Sequence, residues 1–205
     1  MVQVLDINAS RKLLKRYKIP FIKSKKFSSL ESILKSSPKF PLVLKTASTK
    51  VVHKTDFGAV FVNIQNKSQL SYAYKHISKV TRCKDVIVQP MVYGTEVIIG
   101  MKTDPVFGKV LMLGIGGIFV ELLKDVSLRI LPITKKDVNG MLNELKLSKL
   151  LYGFRNTEKV NLKLLTSIII SASKLAMKED IKAFDLNPLI INSKNAYVVD
   201  ARIVV

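Results

Sequence analysis

The apolar residues of this chain switch spacing repeatedly, from the three-to-four interval of a helix to the short unbroken runs of a buried strand and back. Leu13, Leu14 and Tyr17 follow the helical interval in a basic stretch that Lys18-Ile19-Pro20 ends, with Asn8 to Ser10 before it. Leu30, Ile33 and Leu34 repeat the interval behind Ser28 or Ser29, either of which can cap a helix. Leu42-Val43-Leu44 reads as a strand running into Lys45, and Val60 to Ile64 as a second. Ser68 starts a helix that ends near Lys79. Val86-Ile87-Val88, Glu96 to Met101 and Lys109 to Leu113 are further strands. Thr134 with Asp137 forms a capping-box pattern that opens a helix to about Lys146. Val160 to Met177 is helical and apolar on nearly every side, so it belongs in an interior. Leu189 to Ile191 and Ala196 to Val199 close the chain as strands. Such alternation points to a layered α+β or α/β architecture. With 205 residues, 48% of them hydrophobic, there is enough apolar surface for a proper core.

The charge balance is strongly basic: 34 Lys and Arg against 15 Asp and Glu, formally +19. This fits nucleic acid, an anionic surface, or anionic small molecules and acidic partner proteins. The lysines are scattered and there is no arginine-rich arm, which leaves nucleic acid the lesser reading. One cysteine, Cys83, forms no internal disulfide and is consistent with a reduced, cytoplasmic setting. Met1 to Ser10 lacks the basic head and apolar stretch of a signal peptide, and the longest apolar run, Val110 to Val120, is too short to span a membrane.

Four places could carry chemistry. Lys45, at the end of a buried strand before a polar loop, can set a point charge beside a phosphate, or can simply escape to solvent. His53, in His53-Lys54-Thr55-Asp56-Phe57-Gly58, can act as nucleophile or base, or be a solvated loop histidine. His76 reads as a surface residue of a lysine-rich helix. Gly114-Ile115-Gly116-Gly117 follows a strand but matches neither a dinucleotide fingerprint nor a P-loop. The C-terminus says more. Asp185 and Asn187 lie two apart on an extended segment and share a face. A hairpin turning at Ser193-Lys194 sets Asn187 opposite Asp200 and Asp185 opposite Arg202. The result is either a polar face with an Asp–Arg pair or, the preferred reading, an oxygen-rich set suited to Mg²⁺.

These pieces, in this order, closely resemble the β subunit of archaeal ADP-forming acetyl-CoA synthetase and its acyl-CoA synthetase relatives. The resemblance covers nearly the whole chain. It rests on Leu13 to Pro20, Pro41 to Lys45, His53 to Gly58, Glu96 to Gly100, Gly114 to Ser127, Asp185-Leu186-Asn187-Pro188 and Val199-Asp200-Ala201-Arg202. It implies an ATP-grasp fold, two lobes enclosing a nucleotide cleft. One domain would span 1–205, with a smaller nucleotide-clamping subdomain of about 20–90 and the remainder from 1–19 and 91–205. By the same resemblance Lys45, Lys54 and Gly58 attend the nucleotide phosphates, Gln89, Pro90 and Met91 the adenine, and Glu96 the ribose. Asn187 and Asp200, with Asp185 beside them, would hold Mg²⁺. His53 would pass a phosphoryl group between a phosphohistidine of the α subunit and ADP. The cofactors implied are Mg²⁺ and ATP or ADP. The partner implied is a CoA-binding α subunit in a heterotetramer, without which the chain does not turn over. The alternatives are a β-type subunit of a succinyl-CoA synthetase-like ligase and a degenerate or regulatory nucleotide-binding module. Two positions depart from the family. Pro90 stands where relatives carry Glu, removing an N–H, and Ala59 stands where they carry Gly, at a cost if positive φ is needed there.

Overall fold

In the computed structural model, which describes residues 3–48, 51, 57–117, 124–155 and 158–205, the chain forms two compact units, 22–92 and 1–21 together with 93–205.

The smaller unit is a four-stranded antiparallel sheet in the order β1-β4-β2-β3. Its strands are β1 (Lys25–Phe27), β2 (Leu42–Thr46), β3 (Val60–Ile64) and β4 (Val86–Pro90). Helices α2 (Leu30–Lys35) and α3 (Lys67–Thr81) cover one face. Ser29 caps α2 by accepting from the Ser32 amide, and Asn66 caps α3 by accepting from the Gln69 amide. Leu70, Ala73 and Ile77, one stripe of α3, pack on Leu42, Leu44 and Val86 of the sheet. Alternation therefore turns Val43 and Lys45 of β2 to the opposite face.

The larger unit holds six antiparallel strands in the order β10-β8-β5-β6-β7, with β9 paired to β8. They are β5 (Thr95–Asp104), β6 (Gly108–Ile115), β7 (Val126–Ile130), β8 (Ala183–Ile191), β9 (Ala196–Val198) and β10 (Ala201–Val204). Its helices are α1 (Ile7–Arg16), α4 (Lys135–Glu144) and α5 (Leu162–Lys178). Helix α5 is the buried one that its composition requires: Leu165, Ile168, Ile169, Ala172 and Leu175 join Val97, Ile99, Leu111 and Leu113 in the core. Each large aliphatic side chain so buried contributes about 1.5–3 kcal/mol. Lys109 donates to the carbonyls of Ala176 and Glu179, capping the C-terminal end of α5 with a cation. The Tyr17 hydroxyl donates to Glu179 at 2.6 Å and ties α1 to the same end.

Several boundaries differ from the sequence reading. Helix α1 begins at Ile7 because the Asp6 carboxylate accepts from the amides of Asn8 and Ala9. Helix α5 begins at Leu162 behind Asn161. Strands β1, β7 and β10, and the stretch of β8 before Leu189, extend beyond the strands expected. The capping box of Thr134 and Asp137 is present as expected. No described helix is long and apolar enough to cross a membrane.

Candidate functional site

The C-terminal strands keep the register of a hairpin turning at Ser193-Lys194. Leu189 faces Val198, Arg202 faces Asp185, and the Asn187 amide donates to the Asp200 carbonyl at 3.2 Å. Against β5 the ladder slips: Val97 pairs with Leu189 but Ile99 with Leu186, so β8 carries an extra residue at Asn187-Pro188. The inward-facing residues change phase there, from Phe184 and Leu186 to Leu189 and Ile191. A bulge of this kind re-aims side chains and is common beside functional sites. It leaves Asp185 and Asn187 turned away from the helices, with Asp200 beside them.

The charges on this face act on one another. Although the Asp185 side chain reaches solvent, surrounding protein removes enough water to raise its pKa above the usual carboxylate value, and the charge of Asp200 adds to the rise. A hydrogen bond from Asn187 and the charge of Arg202 work in the opposite direction. Two carboxylates and an amide oxygen on one face are donors of the kind that a hard divalent cation takes. Among the described residues no group of three or more His, Cys, Asp or Glu gathers as a metal cage, at this face or at any other. Water and ligand oxygens would complete such a site, as Mg²⁺ prefers.

At the start of β5, Glu96 lies against the glycine turn. The Gly116 amide donates to the Glu96 carbonyl at 2.6 Å, and a Cβ placed on Gly116 would come within 2.7 Å of the Glu96 Cβ. Only glycine permits that approach. Gly117, at φ +86°, completes the turn. The sequence reading missed this packing; two adjacent glycines after a strand are its signal.

In the smaller unit Lys45 is only 3% exposed, so it does not escape to solvent at the strand end. A lysine is buried at such a position only with partners for its charge. Gln89 is buried on the neighbouring strand, facing Val43. The Met91 amide donates to the Pro41 carbonyl at 3.1 Å. Gly58 takes the positive φ, +59°, while Ala59 is fully buried outside the left-handed region, so the alanine carries no backbone penalty. His76 is not a simple surface residue. Its ring is half-buried, sits edge-on to Phe61 at 5.3 Å, and lies 2.9 Å from where a Gly58 Cβ would be. His53 and Lys54 lie outside the described residues.

A model of the ATP-grasp domain matches residues 2–205. This chain belongs to the ATP-grasp family. Within it, the chain is 37% identical over 206 residues to the β subunit of ADP-forming acetate–CoA ligase I of Pyrococcus furiosus, covering 95% of this chain and 89% of that subunit. It is 36% identical to the ADP-forming 4-hydroxybutyrate–CoA ligase of Nitrosopumilus maritimus, covering 94% of this chain but 30% of that longer one. Identity at this level over nearly the whole β subunit places the chain in the ADP-forming acid–CoA ligase branch of ATP-grasp proteins. A solved dinucleotide forming acetyl-coenzyme A synthetase 1 from Ca. Korarchaeum cryptofilum, complexed with coenzyme A and Ca-AMPCP, superposes with a TM-score of 0.89 at 35% identity. The match covers 99% of this chain and 93% of that one. Another structure of that synthetase, with Mg-AMPPCP, has its phosphohistidine segment pointing towards the nucleotide binding site (TM-score 0.79, 36% identity, 98% of this chain and 92% of that one).

Proposed function

We propose that this chain is the nucleotide-handling subunit of an ADP-forming acid–CoA ligase, working in the cytoplasm with a CoA-binding α subunit, as a heterotetramer. The overall reaction is acyl-CoA + phosphate + ADP ⇌ acid + CoA + ATP. The observation that carries this reading is the bulged strand pair, which gathers Asp185, Asn187 and Asp200 on the face turned away from the core. In this reading those three residues would hold Mg²⁺, which would supply positive charge against the nucleotide phosphates. Lys45 and Lys54 supply further positive charge, and Gly58 ends the phosphate loop. Gln89, Pro90 and Met91 border the base and Glu96 the sugar. With the Met91 amide engaged by Pro41, the base is met there by carbonyls and side chains. His53 is the phosphoryl acceptor, receiving from the partner's phosphohistidine and passing to ADP; its imidazole is a competent nucleophile near neutral pH.

Calorimetric titration of the isolated chain with Mg-ADP tests the nucleotide role. We expect binding, and a loss of affinity of about tenfold or more in Asp200→Asn with the far-ultraviolet spectrum unchanged. Equal affinity in the variant removes the metal assignment. A second reading, a regulatory nucleotide-binding module, is favoured by Pro90, which lacks an N–H, and by the engaged Met91 amide. Nucleotide binding without phosphoryl transfer in the assembled synthetase would select it.

A further inference from the structure

The sheet face that carries the carboxylates has a second, quite different end. Strand β5 runs from Glu96, past Gly100, which pairs with Asp185, to a hairpin tip where Asp104 pairs with Gly108. Four residues of strand separate the carboxylates from the tip, about 13 Å. The tip is a built turn. The Asp104 carboxylate accepts from the amides of Val106 and Phe107 at 2.9 and 3.1 Å, and Gly108 takes φ +73°. That turn presents Val106 and Phe107 to solvent, 79% and 60% exposed.

Edge strand β7 continues the apolar surface. Its Ser127 and Arg129 turn inward to Glu144 of α4, so Leu128 and Ile130 turn outward, 54% and 55% exposed. They stand opposite Met112 and Val110 of β6, on the same face as Asp185. A strand whose polar residues face inward and whose apolar residues face water reverses the usual arrangement. Exposed apolar side chains gathered at a strand face and the adjoining hairpin are the mark of a docking site.

We propose that this ledge, hairpin tip plus outer face of β7, seats the CoA-binding partner subunit; the proposal rests on the function given above. Position argues for that occupant. A nucleotide laid along β5 with its sugar at Glu96 and its phosphates at Asp185 and Asp200 turns its terminal phosphate towards the tip. A protein delivering a phosphoryl group enters from that end. Charge argues against a second copy: the chain carries a formal +19, and exposed Lys102 and Lys182 flank the ledge, so two copies repel each other there. The complementary surface is apolar with an acidic rim.

The test uses the chain co-expressed with the CoA-binding subunit of its own synthetase. Three variants are compared: the double variant Val106→Asp/Phe107→Asp, the single variant Ile130→Asp, and Met177→Asp, 49% exposed but on α5, as control. The altered side chains are exposed, so all three should fold. We expect the first two to weaken subunit association at least about tenfold in sedimentation velocity, with Mg-ADP binding by the separated chain within about twofold of wild type. Met177→Asp should pair normally. Normal pairing by the ledge variants overturns the proposal. So does a stable dimer of the isolated wild-type chain that those variants dissociate, because the occupant is then a second copy. If the wild-type chain binds Mg-ADP but pairs with no CoA-binding subunit, the functional reading fails and the ledge falls with it, a result distinct from failure of the ledge alone.

Discussion

Folding moves the Asp185 carboxyl away from its ordinary behaviour in water. An acid whose pKa is raised by folding holds its proton more tightly folded than unfolded. The stability it contributes is fully present below the ordinary aspartate value and is lost as pH rises through the raised value. The metal-free chain should therefore lose stability across that window, read as a falling urea midpoint, and Asp185→Asn should flatten the loss. In the proposed site Mg²⁺ would take the oxygens that the proton holds, so Mg-ADP affinity should increase with pH through the same window. An identical pH profile in Asp185→Asn would show that Asp185 plays no part. This site was largely legible in the sequence. Asp and Asn two apart near a short hairpin predicted both the shared face and the Asp185–Arg202 pairing, because antiparallel register follows from the turn. The bulge at Asn187-Pro188 was not legible, since it depends on how β8 meets β5, a strand almost ninety residues earlier. The commitment of the Met91 amide to Pro41 was equally hidden: it is a tertiary contact, not a local one.

At the scale of elements, the pattern spoke clearly where the apolar side chains face the core, as in α3 and α5. It spoke least in β7, whose apolar residues face outward and whose polar residues are anchored beneath. There Arg129 and Ser127 bind Glu144 and lower its pKa from the ordinary 4.5 to about 2, the Arg129 hydrogen bond being the larger cause. Just before the strand, buried Asp125 accepts from the amides of Lys146 and Leu147, both at 2.8 Å. It thus fixes the segment that follows α4. Asp125→Ala leaves two part-buried amides without their acceptor, and we expect a loss of about 1–3 kcal/mol in urea unfolding. Asp125→Asn, which keeps one acceptor oxygen, should lose less. A wild-type midpoint for Asp125→Ala would mean that the amides find other partners and that this bracket does not hold the element.

For the whole molecule, membership of the ATP-grasp family and likeness to ADP-forming ligase β subunits give the frame, and the proposed strand-borne oxygen site would add the metal chemistry. The division into units 22–92 and 1–21 with 93–205 has a physical basis in two separate cores, each with its own sheet and helices. The return of α1 to the C-terminal unit could be read from the sequence only through family resemblance, because it depends on pairing between Leu5 and Ile203 at opposite ends of the chain. The central claim is that this chain accepts a phosphoryl group made elsewhere and hands it to ADP. The direct measurement reconstitutes the chain with its CoA-binding subunit and supplies acyl-CoA, radiolabelled phosphate, Mg²⁺ and ADP, with and without His53→Ala. We predict label on both subunits before ADP is added, ATP afterwards, and loss of both ATP and this chain's label in His53→Ala. ATP formed by the isolated chain, or undiminished ATP synthesis by the His53→Ala assembly, would contradict the account.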